Sequence, residues 1–239
     1  MKKVIDIHSH ILPGVDDGCP DREEALAMLR MYEEQGTEAV VCTPHFGNCG
    51  KKGADVEGAF AWLSSVESPV KLYLGNEILL TRFSVEDTRR GIARRMAGSD
   101  RILIEFEEWG DYFAGLDEIM DGVKFVADSE FIPILAHAER YNCLQKNPEM
   151  YYGIRELGAE IQINAWSVCE EQKESTVAAA RFLLENQLAG YLGSDAHGEY
   201  HRPPKLAKGV QWIYENCLAD YADAVVHDNA ARLLGLKEE

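Results

Sequence analysis

Seven short apolar runs, set roughly 25–35 residues apart, most constrain what this chain can fold into. They are VIDI (4–7), EAVVCT (38–43), VKLYLG (70–75), RILIEF (101–106), FIPILAH (131–137), AEIQIN (159–164) and AGYLGS (189–194). Each is rich in Val, Ile, Leu or aromatic residues and none alternates cleanly, the pattern of parallel strands covered on both faces. The intervals carry helix signals. Asp21 precedes Glu24 by three residues, a capping-box pattern, and Ala25, Met28, Leu29 and Tyr32 then share one face before Gly36. Asn147-Pro148 offers a cap ahead of Met150, Ile154 and Leu157. Val177, Ala180, Leu184 and Leu188 form another stripe, and residues 228–235 a last short helix. Strands alternating with helices predict a closed or nearly closed parallel βα barrel, with a doubly wound open sheet as the alternative. No Pro/Gly/Ser-rich linker divides the chain, so residues 1–239 read as a single domain. Segments 46–54 and 107–115 read as loops leaving strands.

The ends of these runs carry the chemistry. His8, His10 and Asp17 follow the first, His45 the second and Glu77 the third. Glu105 ends the fourth, His137 the fifth, and Asp195 with His197 the seventh; the sixth ends on Asn164. A barrel gathers the carboxyl ends of its strands on one face. Nine imidazoles and carboxylates distant in sequence would meet there. Taken singly, H-x-H is an ordinary pair of strand-end imidazoles and Asp195 with His197 a capped turn. Glu105 inside an apolar run is harder to explain without a partner or a metal. Together the set points to metal, and nine ligands are too many for one ion, so two to three ions sharing carboxylates are expected. Imidazole plus carboxylate without thiolate suits Zn, Mn, Fe or Ni. Clustered ions lower the pKa of bound water and clamp both oxygens of a displacement at phosphorus. Arg140 and Arg202 lie close by in sequence, and their forks match phosphate oxygens. His201 is expected on the loop surface or in support of the site, and His227 near a helix start.

Composition excludes several classes. A net charge of -17 repels nucleic-acid phosphate and anionic lipid, but leaves room for a small phosphorylated group held by local cations. No run is long enough to span a membrane, and MKKVIDIHSH lacks the apolar stretch of a signal peptide. Six scattered cysteines (Cys19, Cys42, Cys49, Cys143, Cys169, Cys217) are therefore read as free thiols in a reducing cytoplasm. None is followed by Arg six positions later, which disfavours a thiol phosphatase, and no phosphate-binding G-x-x-x-x-G-K-[ST] loop occurs.

DIHSHILPGVDDG, TPH, GNEI, ILIEF, LAHAER and GSDAHGEYHRP, in order from residue 4 to 204, resemble the polymerase-and-histidinol-phosphatase superfamily. Within it they are similar to the bacterial protein-tyrosine phosphatases of capsule and exopolysaccharide synthesis. The resemblance implies a distorted (β/α)7 TIM-like barrel with two to three divalent ions, manganese first, with iron or zinc as alternatives. It maps the ligands to His8, His10, Asp17, His45, Glu77, Glu105, His137, Asp195 and His197, and the phosphate-binding arginines to Arg140 and Arg202. It implies substrates on the Tyr-rich tails of bacterial tyrosine autokinases, and self-association into homo-oligomers. Two features depart from the pattern: Ala138 stands where Pro is expected, and the 107–115 loop, with Trp109, Tyr112 and Phe113, is expected to line the substrate mouth. The expected mechanism is in-line attack by metal-activated hydroxide, with no general acid assigned. The rival readings are a small-molecule phosphatase of histidinol-phosphatase type, a metal-dependent nuclease or amidohydrolase, and a metal-holding module without turnover.

Overall fold

Each of the seven apolar runs becomes a strand, and two of them continue past a break. A computed structural model describes residues 1–47, 49–107 and 114–236. Its strands are β1 (Ile5–Ser9), β2 (Ala39–Cys42), β3 (His45–Phe46), β4 (Lys71–Leu74), β5 (Glu77–Leu79), β6 (Arg101–Glu105), β7 (Ile132–Leu135), β8 (Glu160–Asn164) and β9 (Tyr191–Gly193). Every pairing among them is parallel. Cys42 stands opposite Leu74 and His45 opposite Glu77, so one register runs through β2–β3 and β4–β5. The breaks fall at Thr43-Pro44 and Gly75-Asn76. Pro44 has no N–H for the ladder, and Asn76 Nδ2 donates to its carbonyl at 2.6 Å, tying the two kinks together.

Below the kinks the barrel is open. β4 pairs with β2, whereas β6 pairs with β5. The turn Met96–Gly98 fills the gap with the buried Met96 side chain. Gly75 permits this approach, because a Cβ there would lie 3.0 Å from the Met96 sulfur. The seam between β9 and β1 closes only at the carboxyl ends, where Asp195 N donates to His8 O (2.8 Å) and His10 N to Ala196 O (2.9 Å). This is a distorted seven-path barrel, closed where the candidate site lies.

Inside, Ile5, Ile7, Val41, Leu103, Ile134, Ala136 and Tyr191 fill the lower half, and Leu233 of the last helix packs beneath them. Alternate residues such as Val40, Ile102, Leu135 and Ile161 face the helical layer. The helix Arg22–Glu34 starts as its sequence predicts, with the Asp21 carboxylate accepting from Glu23 and Glu24 N. The Glu24 side chain does not close a reciprocal box; it accepts from Glu199 N instead, anchoring the loop after β9. Asn147 likewise ends the preceding helix, Asn142–Lys146, donating to Cys143 O, rather than capping the next, Met150–Glu156. No described helix is long and apolar enough to cross a membrane.

Candidate metal centre

β1 carries an irregularity that decides the site. Asp6 faces Val40 and Ser9 faces Cys42, so β1 spends one residue more than β2 over this stretch. Ile5 and Ile7 point inward, yet Asp6 and Ser9 both turn outward to the Tyr32 hydroxyl (2.8 Å each). The extra residue lets His8 follow Ile7 into the barrel, and His10 follows two positions on. Gly14, at φ +74, turns the loop back over them.

The proton positions of these histidines follow from their neighbours. Gln162 Oε1 accepts from the His137 backbone N–H (2.8 Å), so the His8 Nδ1 lying 3.1 Å away must be its N–H donor. Asp16 Oδ2 accepts from His45 N (3.0 Å) and takes His10 Nδ1 at 2.8 Å. His197 Nδ1 donates to the Asp195 carbonyl at 2.9 Å. Each Nε2 is left facing the interior with a lone pair. The Nε2 atoms of His8 and His10 lie 3.2 Å apart and 3.1 Å from Glu77 Oε2, with Asp195 Oδ1 at 3.8 and 3.6 Å. Acceptors converging in this way repel unless a proton or a cation lies between them. Burial and His45 push His10 down, but Asp16 and Glu77 outweigh both and hold it up at about 9. Without metal, protons take the cation's place.

Glu77 is the hub. Its Oε1 is 2.8 Å from His137 Nε2, and its Oε2 3.1 Å from His45 Nδ1. Burial would raise its pKa, but the imidazoles of His8 and His45 hold it well below the usual range. Glu105 Oε1 is 3.0 Å from His45 Nδ1; burial and the neighbouring Glu77 raise its pKa. Asp17 returns over the mouth, 3.4 Å from His45 Nε2 and 3.8 Å from His197 Nε2. Buried atoms without hydrogen-bond partners include His45 Nδ1, Glu77 Oε2, His137 Nδ1 and His197 Nε2. Burial holds His137 down to about 4 and His197 to about 2, so both are neutral near pH 7. The donor set fits divalent cations sharing carboxylates.

The two arginines meet the centre through one carboxylate. Arg140 Nη1 donates to Asp195 Oδ2 at 2.9 Å and Arg202 Nη1 at 3.1 Å. Asn164 Nδ2 adds a third contact at 3.2 Å. Burial would raise Asp195, but His8, Arg202 and Arg140 hold it far below the carboxylate range. His137, Asp195 and Arg202 all adopt left-handed backbone, at φ 33, 53 and 52. Such strain collects where a function needs it. Beside them opens a cavity of about 830 Å³, lined in part by Arg140, Asn164, Trp166, His201, Arg202 and Lys205.

All eleven residues singled out from the sequence therefore surround one space. Asp16, which is not among them, orients His10 from the loop before Asp17. Gln162 escaped notice because an amide inside an apolar strand reads as a filler; its place between Ile161 and Ile163 was the available signal. His201 is exposed on the cavity rim, and His227 pairs with Asp228 and Glu38 away from the site. Trp109, Tyr112 and Phe113 lie outside the described residues.

A parallel seven-path barrel with histidines and carboxylates at its strand ends is a TIM-like barrel of the metal-centre type. The sequence is more particular: residues 4–235 match the family described as capsular polysaccharide synthesis, CpsB/CapC, and the chain belongs to it. It is 28% identical over 242 residues to the tyrosine-protein phosphatase CpsB of Streptococcus pneumoniae, covering 97% of this chain and 98% of the relative. It is 29% identical over 201 residues to the tyrosine-protein phosphatase YwqE of Bacillus subtilis (strain 168), covering 81% and 77%. A crystal structure from work on YwqE of Bacillus subtilis and CpsB of Streptococcus pneumoniae, described as metal-dependent tyrosine phosphatases, superposes with a TM-score of 0.83 at 25% identity, over 98% of this chain and 95% of that one.

Proposed function

We propose that this chain is a metal-dependent phosphomonoesterase acting on phosphotyrosine in proteins. The observation that carries the reading is the meeting of inward-facing imidazole lone pairs and carboxylates around Glu77, joined through Asp195 to two arginines. In this reading His8, His10, Glu77 and Asp195 hold one ion, Glu77, Glu105 and His137 a second, and Asp17, His45 and His197 a third. Manganese is the expected metal, with iron or zinc as alternatives. Bound divalent ions supply a water of lowered pKa and positive charge at the attacking and leaving oxygens. Gln162, Asp16 and the Asp195 carbonyl keep the protons of His8, His10 and His197 on Nδ1. Arg140 and Arg202 bind the non-bridging phosphate oxygens and the charge that develops on them. A leaving phenol, with a pKa of about 10, needs little proton help, so no general acid is assigned.

The relatives' activity supports phosphotyrosine over a small alkyl phosphate, and the family supports a tyrosine autokinase of capsule or exopolysaccharide synthesis as the partner. Six free thiols fit a reducing cytoplasm. Residues 1–239 act as one phosphatase domain, and self-association of the kind its resemblance implies is measurable by light scattering.

The test is metal-stripped protein with Mn²⁺ restored, assayed on phosphotyrosine peptides and on histidinol phosphate. Peptide hydrolysis should dominate. Arg140→Ala should lose about 100-fold in kcat/KM, and His137→Ala should lose activity together with bound metal. Preference for histidinol phosphate would move the assignment to a small-molecule phosphatase. Full activity in His137→Ala would overturn the metal account.

A further inference from the structure

The ligand set read from the strand ends contains no thiolate, yet the structure brings one thiol to it. The Cys49 sulfur, an Asp17 carboxylate oxygen and a His45 ring nitrogen all lie within 4.8 Å of one another. Among the described residues, Cys49 is the one cysteine grouped with other potential ligands in this way. Its thiol is half-buried. The placement is built into two loops. Lys51 N donates to Val15 O at 2.8 Å, stapling the segment after β3 to the loop that carries Asp17. Gly50 passes so close beneath His45 that a Cβ there would lie 2.7 Å from the His45 carbonyl. A second, independent observation marks the same space as a ligand site. His197 Nε2 is buried, has no hydrogen-bond partner and lies 3.8 Å from Asp17 Oδ1.

We infer that Cys49 is a fourth protein ligand to an ion held by Asp17, His45 and His197, giving that position a mixed N/O/S donor set. The inference rests on the metal centre proposed above. A soft sulfur donor among harder ones shifts preference from manganese toward zinc. Binding forms a metal–sulfur bond, breaks the S–H bond and releases the proton to solvent. The ion positions would then differ in metal preference, with a thiolate only at the mouth.

The full-length, metal-stripped protein titrated with Co²⁺ tests this through absorbance, because a thiolate–cobalt bond gives a near-ultraviolet charge-transfer band. The band should appear in the wild type and vanish in Cys49→Ser while cobalt still binds. In Zn²⁺/Mn²⁺ competition read by elemental analysis, Cys49→Ser should bind zinc at least about tenfold more weakly. Bound zinc should also shield Cys49 of the wild type from iodoacetamide, read by peptide mass, a measurement that needs no variant. Cobalt bound without the band, a band that survives Cys49→Ser, or equal alkylation with and without zinc would overturn the role of Cys49 and leave the centre standing. Failure of the wild type to bind any cobalt would overturn both.

Discussion

Asp195 joins two chemistries through its two oxygens: Oδ1 faces His8 and His10, and Oδ2 accepts from Arg140, Arg202 and Asn164. A cation on one side and a phosphate on the other would each change what this carboxylate holds, so residues that aim its neighbours matter. Gln162 is the sharpest case, since it fixes the His8 proton and satisfies the His137 N–H. Gln162→Leu should keep the fold yet lower metal affinity by about 10–100-fold, measured as metal retained after dialysis. Glu139 has a different role. Burial outweighs its contacts with Ser167 and the Asn164 N–H and raises it to about 7. The folded state therefore holds a proton that the unfolded chain releases nearer pH 4.5. The stability this proton contributes is complete below about 4.5 and is lost as pH rises through about 7. Denaturation at pH 5 and pH 8 should show Glu139→Gln flattening that fall by up to about 3 kcal/mol. An unchanged pH dependence would refute the assignment.

At the scale of elements, the site depends on where strands depart from regularity. The extra residue in β1 turns His8 inward, and the breaks at Thr43-Pro44 and Gly75-Asn76 deliver His45 and Glu77 to one level. β9 approaches β1 so closely that a Cβ on Gly193 would lie 2.7 Å from both His8 Cβ and Gln162 Nε2. Neither neighbour can give way without losing its aim, so Gly193→Ala should reduce metal binding about tenfold or more. Circular dichroism should show the helices intact; normal metal content would show that the seam has slack. The strands themselves were legible as apolar runs, and the helix after Asp21 as a cap with a stripe. The β1 irregularity was not, because one extra residue in a five-residue strand leaves the apolar pattern unchanged. Glu24 and Asn147 were misjudged for a related reason: each found a better partner in a neighbouring segment than in its own helix.

The whole molecule carries a net charge of -17 and concentrates part of its acid in one buried pocket. Like charges packed together strain the fold unless cations or protons offset them. Chelation should therefore lower thermal stability. One ion present at 100 times its dissociation constant contributes about 2.7 kcal/mol, a shift on the order of 5–10 °C for a chain of this size. Scanning calorimetry with and without chelator would read it, and an unchanged midpoint would argue against an ion in the folded state. Metal uptake should also depend on pH. Burial lowers His45, but Glu77 and Glu105 outweigh it and hold it up at about 9, as Asp16 and Glu77 do for His10. Metal must displace those protons, so apparent affinity should climb as pH rises toward about 9.

By itself the sequence determined a parallel α/β fold, because only parallel strands covered on both faces tolerate apolar runs so short and so uniform; closure into a barrel rather than a doubly wound open sheet came from the strand pairing. It also determined the list of candidate ligands, because strand ends of such a barrel meet whatever separates them along the chain. Only the tertiary structure decided how those ligands group, which nitrogen each imidazole turns inward, and which side chains hold them there. It also brought Cys49 to a pocket whose sequence pattern contains no thiol. Those outcomes depend on a register shift, two strand breaks and loop contacts between distant segments, whose energies come from three-dimensional neighbours and leave no periodic trace in the chain.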